Sequence, residues 1–404
     1  TPTYFIKDCM RSVRPITNCF SAVLMILMLS LASSLTRAQE NSPYSRYGLG
    51  DLTPSQNILN RSMGGLSAAY GDYSTVNFTN PASYAELKIT TLDIGLDYNS
   101  RTLRALNPPR KFNSSYLIPS YLQLGLPLSK KRNWGMNLGL RPVTRINYDI
   151  VYRTRLANID SARYQYVGNG GTYQAFTGMA YGTKHLNIGF NVGYMFGNKE
   201  YSSQLAFIND TTAYKTTNST DTTRFGGMFF NAGIQYKIKL SEKTTLKLGA
   251  HGNLETKLNA VRNLSRKTVE YSSSAGLITL DSIYTGQDQK GTILYPSSWG
   301  AGFMVEHENQ WQFGAEIGMA KWASFRYFGA PDKLADTWTF RLGGQVIPDF
   351  KSDNYFKRIA YRLGASFGPD IYNPGKSVPQ SCFSFGFALP VRRNVYTNQY
   401  TIIN

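Results

Sequence analysis

The sequence predicts an all-β protein of the transmembrane kind, an antiparallel β-barrel of about 14 strands when complete, and three observations carry that prediction. Segments of apolar/polar alternation recur from about residue 90 onward. They outrun the five or six residues of ordinary globular strands, and the connections between them alternate long and short. Composition agrees, with 14% aromatics, only 17% charged residues and 36 glycines, a balance that suits aromatic-rich strands with small-residue faces. A helical membrane protein would need runs of about 20 apolar residues, and none follows residue 38.

Residues 1–38 read as an export signal with a few residues upstream. Arg11 and Arg14 precede the apolar run Ala22 to Leu31, and Thr36-Arg37-Ala38 offers small residues at a cleavage site before Gln39. Met10 sits just ahead of the basic region, so residues 1–9 are expected to lie outside the translated protein. Cys9 and Cys19 leave with the signal and Cys382 stays alone, which excludes a disulfide framework. Losing 1–38 removes four of 43 basic and one of 25 acidic residues and leaves a formal net charge of +15. In an exported chain such charge suits an anionic lipid or polysaccharide surface, or solvated loops. Its scatter argues against nucleic acid as a partner.

Residues 39–88 lack a spanning strand. Ser45 to Asp51 is followed by helix-like pieces between Ser55 and Tyr70, broken at Gly64-Gly65, and then by Asn80-Pro81-Ala82. Fifty such residues ahead of the first hairpin are expected to fold into the lumen as a plug; a periplasmic tail is the other reading. Residues 89–404 form the barrel, with thirteen strands near 90–99, 114–128, 134–149, 171–182, 186–198, 225–240, 244–257, 292–307, 310–325, 336–348, 355–368, 380–390 and 395–404. The clearest has Leu186, Ile188, Phe190, Val192, Tyr194 and Phe196 on one face and Asn187, Gly189, Asn191 and Gly193 on the other. Gaps such as 150–170, 199–224 and 258–291 are long, whereas Ser129–Asn133, Thr183–His185, Ser241–Lys243 and Glu308–Asn309 are tight. That is the asymmetry of outer loops and periplasmic turns. The turn residues Lys130, Lys131 and Arg132 read as solvated. Single-chain bacterial barrels use even strand numbers, so the chain is expected to lack the rest of strand thirteen and all of strand fourteen.

Several segments then resemble a known family: SPYSRYGLGDL (42–52), RSMGGLSAAY (61–70), Asn80-Pro81-Ala82, YPSSWGAGF (295–303), KWASFRYFG (321–329) and SDNYFKRIAYRLG (352–364). They look like Bacteroidetes-type outer-membrane proteins related to the FadL/TodX transporters of long-chain fatty acids and aromatic hydrocarbons. The resemblance implies a fourteen-stranded barrel in the bacterial outer membrane, closed by an N-terminal hatch. It also implies that a hydrophobic ligand leaves sideways at a kinked third strand beside the hatch's Asn-Pro-Ala. Here the third strand carries Arg141-Pro142 in mid-run. Proline removes a ladder donor, so Pro142, with Asn80, Pro81 and Ala82, is a gate candidate; a plain bulge at the rim fits Pro142 equally well.

No catalytic or metal site is expected. Gly364-Ala365-Ser366-Phe367-Gly368 fits a nucleophile-elbow pattern, but Pro369-Asp370 leads into a loop where the elbow needs a helix. His185, His251 and His307 share no ligand spacing. Aromatic stripes such as Trp299, Phe303, Trp311 and Phe313 are read as lipid-facing. The leading expectation is a cofactor-free, non-enzymatic passive transporter of fatty-acid-like hydrophobic molecules through a plugged barrel. The alternative is a structural barrel in an outer-membrane assembly or protein-secretion machine. Expected partners are a hydrophobic small molecule or lipid, outer-membrane lipid and lipopolysaccharide, and other outer-membrane proteins. A transporter should hold a continuous apolar pocket between loops and plug, and a scaffold a lumen packed shut.

Overall fold

The computed structural model describes residues 41–404 except 107–108, 130–132, 157–159, 209–213, 273–275, 309, 374, 376 and 392–400. The expected signal at 1–38, the Lys130-Lys131-Arg132 turn and most of the expected strand at 395–404 lie outside the described residues. Two compact units result. One is the far part of the first hairpin, residues 96–118, with Asn41; in it Asn41 N donates to Ser114 Oγ at 3.1 Å and Thr102 Oγ1 to Asn113 Oδ1 at 3.0 Å. The other comprises 42–95 and 119–404.

Alternating residues with β-branched and aromatic side chains make strands wherever one face can be buried. In order they are β1 (Asp51–Leu52), β2 (Thr91–Leu106), β3 (Pro109–Ser129), β4 (Trp134–Leu156), β5 (Asp160–Gly182) and β6 (Leu186–Ile208). Then follow β7 (Thr216–Lys239), β8 (Thr244–Asn253), β9 (Thr256–Ser272), β10 (Gly276–Tyr295), β11 (Ser298–His307) and β12 (Trp311–Ala320). The last are β13 (Arg326–Tyr327), β14 (Ala330–Pro331), β15 (Thr337–Val346), β16 (Ala360–Pro369), β17 (Pro379–Pro390) and β18 (Ile402–Ile403). Among the described residues helix is confined to α1 (Ile58–Ser62), α2 (Tyr355–Arg358) and short 3-10 turns. Neighbouring strands pair antiparallel in one large sheet, which is not closed among the described residues. β8 with β9, and β10 with β11, act as single long ribbons: β9 pairs β10 while β8 pairs β11.

The outward faces carry an apolar belt. Trp134, Tyr181, Tyr236, Trp311 and Tyr361 are exposed toward the short-turn end, and Tyr173, Phe196, Trp299, Trp338 and Phe367 toward the other. Two aromatic girdles around an aliphatic band are what strands in lipid present. Strands β12, β15 and β16 have ten residues each, about the 9–11 that cross a bilayer at a tilt.

Several expected boundaries are corrected. The segments 150–170, 199–224 and 258–291 are largely strand: β4, β5 and β6 have 23 residues each and β7 has 24. At roughly 3.3 Å per residue these are about 76 Å long, so the ribbons continue well past the belt. On the same outward face of β4 the belt gives way to Asp149, Arg153 and Arg155, and on β6 to Glu200 and Gln204. With water on both sides the apolar/polar contrast vanishes, and the pattern that marks a strand vanishes with it. The expected strand 355–368 starts only at Ala360, after α2, and 310–325 stops at Ala320. The helix-like stretch 55–70 shrinks to α1, capped by Asn57, whose Oδ1 accepts from Asn60 N at 2.7 Å.

Candidate functional site: the N-terminal segment and the inner face

Segment 42–90 lies against the inward face of the sheet, and glycines make room for it. A Cβ added at Gly135 would stand 1.9 Å from Tyr84 O, at Gly189 2.5 Å from Pro81 O, and at Gly249 1.9 Å from Ala68 O. At Gly343 it would meet Met63 O at 2.3 Å, and at Gly364 the nitrogen of Gly64 at 2.0 Å. Gly64 and Gly65 themselves turn the chain with φ of +72° and +87°, a conformation that glycine adopts freely.

Polar side chains on the same inward faces bind the segment's backbone. Asn80 Nδ2 donates to Ala68 O at 2.6 Å and to the β7 and β8 carbonyls of Ile234 and Ala250 at 3.3 Å each. Its Oδ1 accepts from Ala82 N at 3.1 Å, capping the 3-10 turn that starts at Pro81. Gln235 Nε2 donates to Ala68 O and Tyr70 O, and Asn191 Nδ2 to Phe78 O. Tyr84, wholly buried, donates to Asn191 Oδ1 at 3.0 Å and accepts from Asn137 at 3.2 Å; burial raises its phenol above the ordinary value.

Two charged clusters hold the segment further. The buried Glu316 carboxylate accepts from Ser67 N (2.6 Å), Ala68 N (2.7 Å) and Arg341 Nη1 (2.9 Å), with His251 Nε2 3.7 Å away. Glu86 pairs with Lys237 at 3.2 Å and Lys247 at 3.1 Å. Burial pushes the Glu86 carboxyl up, and the two lysines outweigh it and hold it below its ordinary value.

At the long-ribbon end the motif SPYSRYGLGDL is gripped from several sides. Lys199, 6% exposed, donates to Gly48 O at 3.0 Å and lies 4.4 Å from the ring centres of both Tyr201 and Tyr327. Asp332 Oδ2 accepts from Gly48 N at 2.6 Å, and Tyr372 donates to Asp51 Oδ1 at 2.7 Å. The connection after β12, which holds the KWASFRYFG motif, folds inward: Trp322, Phe325 and Leu334 join Leu49, Phe225, Leu258 and Ile293 in one apolar cluster. A charged hydrogen bond and a desolvated cation–π contact are together worth about 3 kcal/mol. Lys199→Met is therefore expected to speed tryptic cleavage after Arg46 at least about tenfold; unchanged cleavage would mean the lysine is idle.

The gate candidates separate. Asn80 and Pro81 sit against β6, β7 and β8, whereas Pro142 meets Thr53, whose hydroxyl donates to Pro142 O at 2.8 Å. The β4–β5 register slips between Pro142 and Thr144, a bulge at the upper edge of the belt. On its other edge the described pairing of β4 with β3 runs from Trp134 to Leu140. From Val143 that edge goes to the N-terminal segment: Thr53 N donates to Val143 O, β1 pairs with Thr144 and Arg145, and Ser42 N donates to Asn147 O.

Between segment and sheet lie three described cavities of different size, each partly polar. One of about 110 Å³ is lined by Phe78, Arg141, Gln174, Phe176, Asn191 and Phe229, among others. A second, of about 220 Å³, includes Gln56, Arg141, His251 and Arg341. A larger cavity of about 670 Å³ at the short-turn end is lined by charged groups, among them Asp72, Glu86, Lys247, Glu306 and Arg362. Ser366 of the GASFG pattern is mid-strand, opposite Arg341 and Cys382, so the elbow geometry does not form. The described residues contain no metal-binding group of histidine, cysteine and acidic side chains.

A model of the BamG family matches residues 20–401. The chain belongs to the BamG family. No curated protein sequence matches it. In fold this BamG-family chain is similar to the CymD monoaromatic hydrocarbon channel, with 17% identity over 85% of this chain and 90% of that one and a TM-score of 0.50. A FadL homologue of Pseudomonas aeruginosa gives 11% identity, coverage of 86% and 88%, and a TM-score of 0.52. The TodX deltaS2S3 mutant channel gives 17%, 82% and 89%, and 0.50. These likenesses carry the fold. With the lipid-facing belt, they make the BamG-family chain an outer-membrane β-barrel protein with a FadL-like architecture.

Proposed function

We propose that segment 39–88 is a plug that stops the lumen, and that the barrel from 89 onward serves as a structural subunit of an outer-membrane assembly or protein-secretion machine. Residues 1–38 would supply the export signal. One observation carries this reading. The described spaces between plug and wall are about 110 and 220 Å³, both beside Arg141, and about 670 Å³, lined by Asp72, Glu86, Lys247, Glu306 and Arg362 among others, whereas pockets for small molecules run to about 300–1,000 Å³ of mainly apolar lining. A lumen filled by backbone and amide hydrogen bonds suits a scaffold.

A second reading, passage of hydrophobic small molecules across the outer membrane, is favoured by the seam at Pro142. There the wall is completed by the plug's own strand β1, which could withdraw. The fold shared with a monoaromatic hydrocarbon channel supports it too. Depletion of the protein in its host separates the two. The scaffold reading expects other outer-membrane proteins to fall in abundance while uptake of labelled toluene and palmitate is unchanged. Lost uptake with a normal outer-membrane proteome would replace it by the channel reading.

A further inference from the structure

The outward face of β12, β15, β16 and β17 carries a groove of about 860 Å³. Its floor is Gly344 and Ala365, and its walls include Phe313, Leu363 and Phe383, the last 79% exposed. It runs to the short-turn rim at Trp311 and Tyr361. Just beyond that rim is the connection 347–359, a different kind of turn from Thr183–His185 or Ser241–Lys243. It exposes Phe350, Tyr355 and Phe356, the last at 69%. Among them stand Lys351, Lys357 and Arg358, with Lys351 Nζ 5.3 Å from the Phe350 ring centre and Arg358 Cζ 5.6 Å from that of Tyr355. Asp349 and Asp353 share the connection.

An acyl-sized groove that ends at Tyr361, whose hydroxyl donates to Phe356 O of that connection at 2.9 Å, adjoins aromatics and cations at one membrane surface, the two-part chemistry of a lipid. Exposed aromatic rings settle at the headgroup level, and lysine and arginine side chains there can donate charge-assisted hydrogen bonds to a headgroup phosphate. Cations and carboxylates on one connection suit a headgroup that carries both a phosphate and an ammonium group; Arg358 and Phe350 also border the 670 Å³ cavity. We propose that this face holds one glycerophospholipid of the periplasmic leaflet, a phosphatidylethanolamine, with an acyl chain over Ala365 and its headgroup on the 347–359 connection. The proposal stands whether the barrel is a scaffold or a channel.

Native mass spectrometry of the full-length protein in detergent, titrated with dipalmitoylphosphatidylethanolamine, tests it. The expected result is a single saturable adduct, lowered about fivefold by Ala365→Trp and by the triple change Lys351→Glu, Lys357→Glu, Arg358→Glu. The control Phe190→Ala on β6 should bind as before, and all variants should keep heat-modifiable mobility on gels. Equal binding by every variant, adducts that do not saturate at one, or displacement by inorganic phosphate alone would overturn it.

Discussion

Gly249→Val is expected to unseat the plug. A Cβ at 249 stands 1.9 Å from the carbonyl oxygen of Ala68 and 2.4 Å from its carbon, and backbone cannot swing aside as a side-chain tip can. Ala68 is also fixed on several sides: its nitrogen donates to Glu316, and its oxygen accepts from Asn80 and Gln235. Overpacking in cores typically costs about 1–3 kcal/mol, and with an immobile obstacle the cost should reach the top of that range or exceed it. The outward face of β8 is untouched, so insertion in lipid should survive. Limited trypsin treatment of outer-membrane vesicles should leave the wild-type plug whole at Arg61 and cut the variant there. Equal resistance would mean that the segment does not press on β8.

Glu316→Ala should have the second-largest effect. The carboxylate is 3% exposed and holds two plug amides and Arg341 at once. Its removal leaves a partly buried guanidinium without this carboxylate and two amides without an acceptor, a loss of about 3 kcal/mol. The temperature at which the heat-modifiable form converts on gels should fall, and the added change Arg341→Met should recover part of the fall. No change in that temperature would show that the cluster is not holding the plug.

Much of the barrel was legible because lipid imposes a chemical difference between the two faces of a strand. Leu186 to Phe196 alternates with Asn187, Gly189, Asn191 and Gly193; the structure puts the first set outward, sets Asn187, Gly189 and Asn191 against the N-terminal segment, and packs Gly193 against Phe176 of β5. Beyond the belt, as in the upper parts of β5 and β9, polar residues occupy both faces, so the difference is gone and those residues read as loops. The asparagine and glycine face was visible in the sequence, but its role was not, since nothing local says that an inward glycine faces another backbone. Asn80 could be singled out through its triplet. Lys199, Glu316 and Gln235 could not, because each is one polar residue in a strand and gains meaning only from a partner 150 to 250 positions away. Pro142 was legible as a break in a strand: the β4–β5 register shifts there, and β4 changes partner on its other edge.

Hydrogen exchange of the full-length protein in lipid nanodiscs tests the plugged lumen most directly. Amides from Asn57 to Leu87 should exchange as slowly as those in the belt portions of β4 to β7, because their carbonyls and nitrogens are bound to the wall and shielded from water. Exchange of that segment within seconds, beside protected strands, would contradict a stopped lumen.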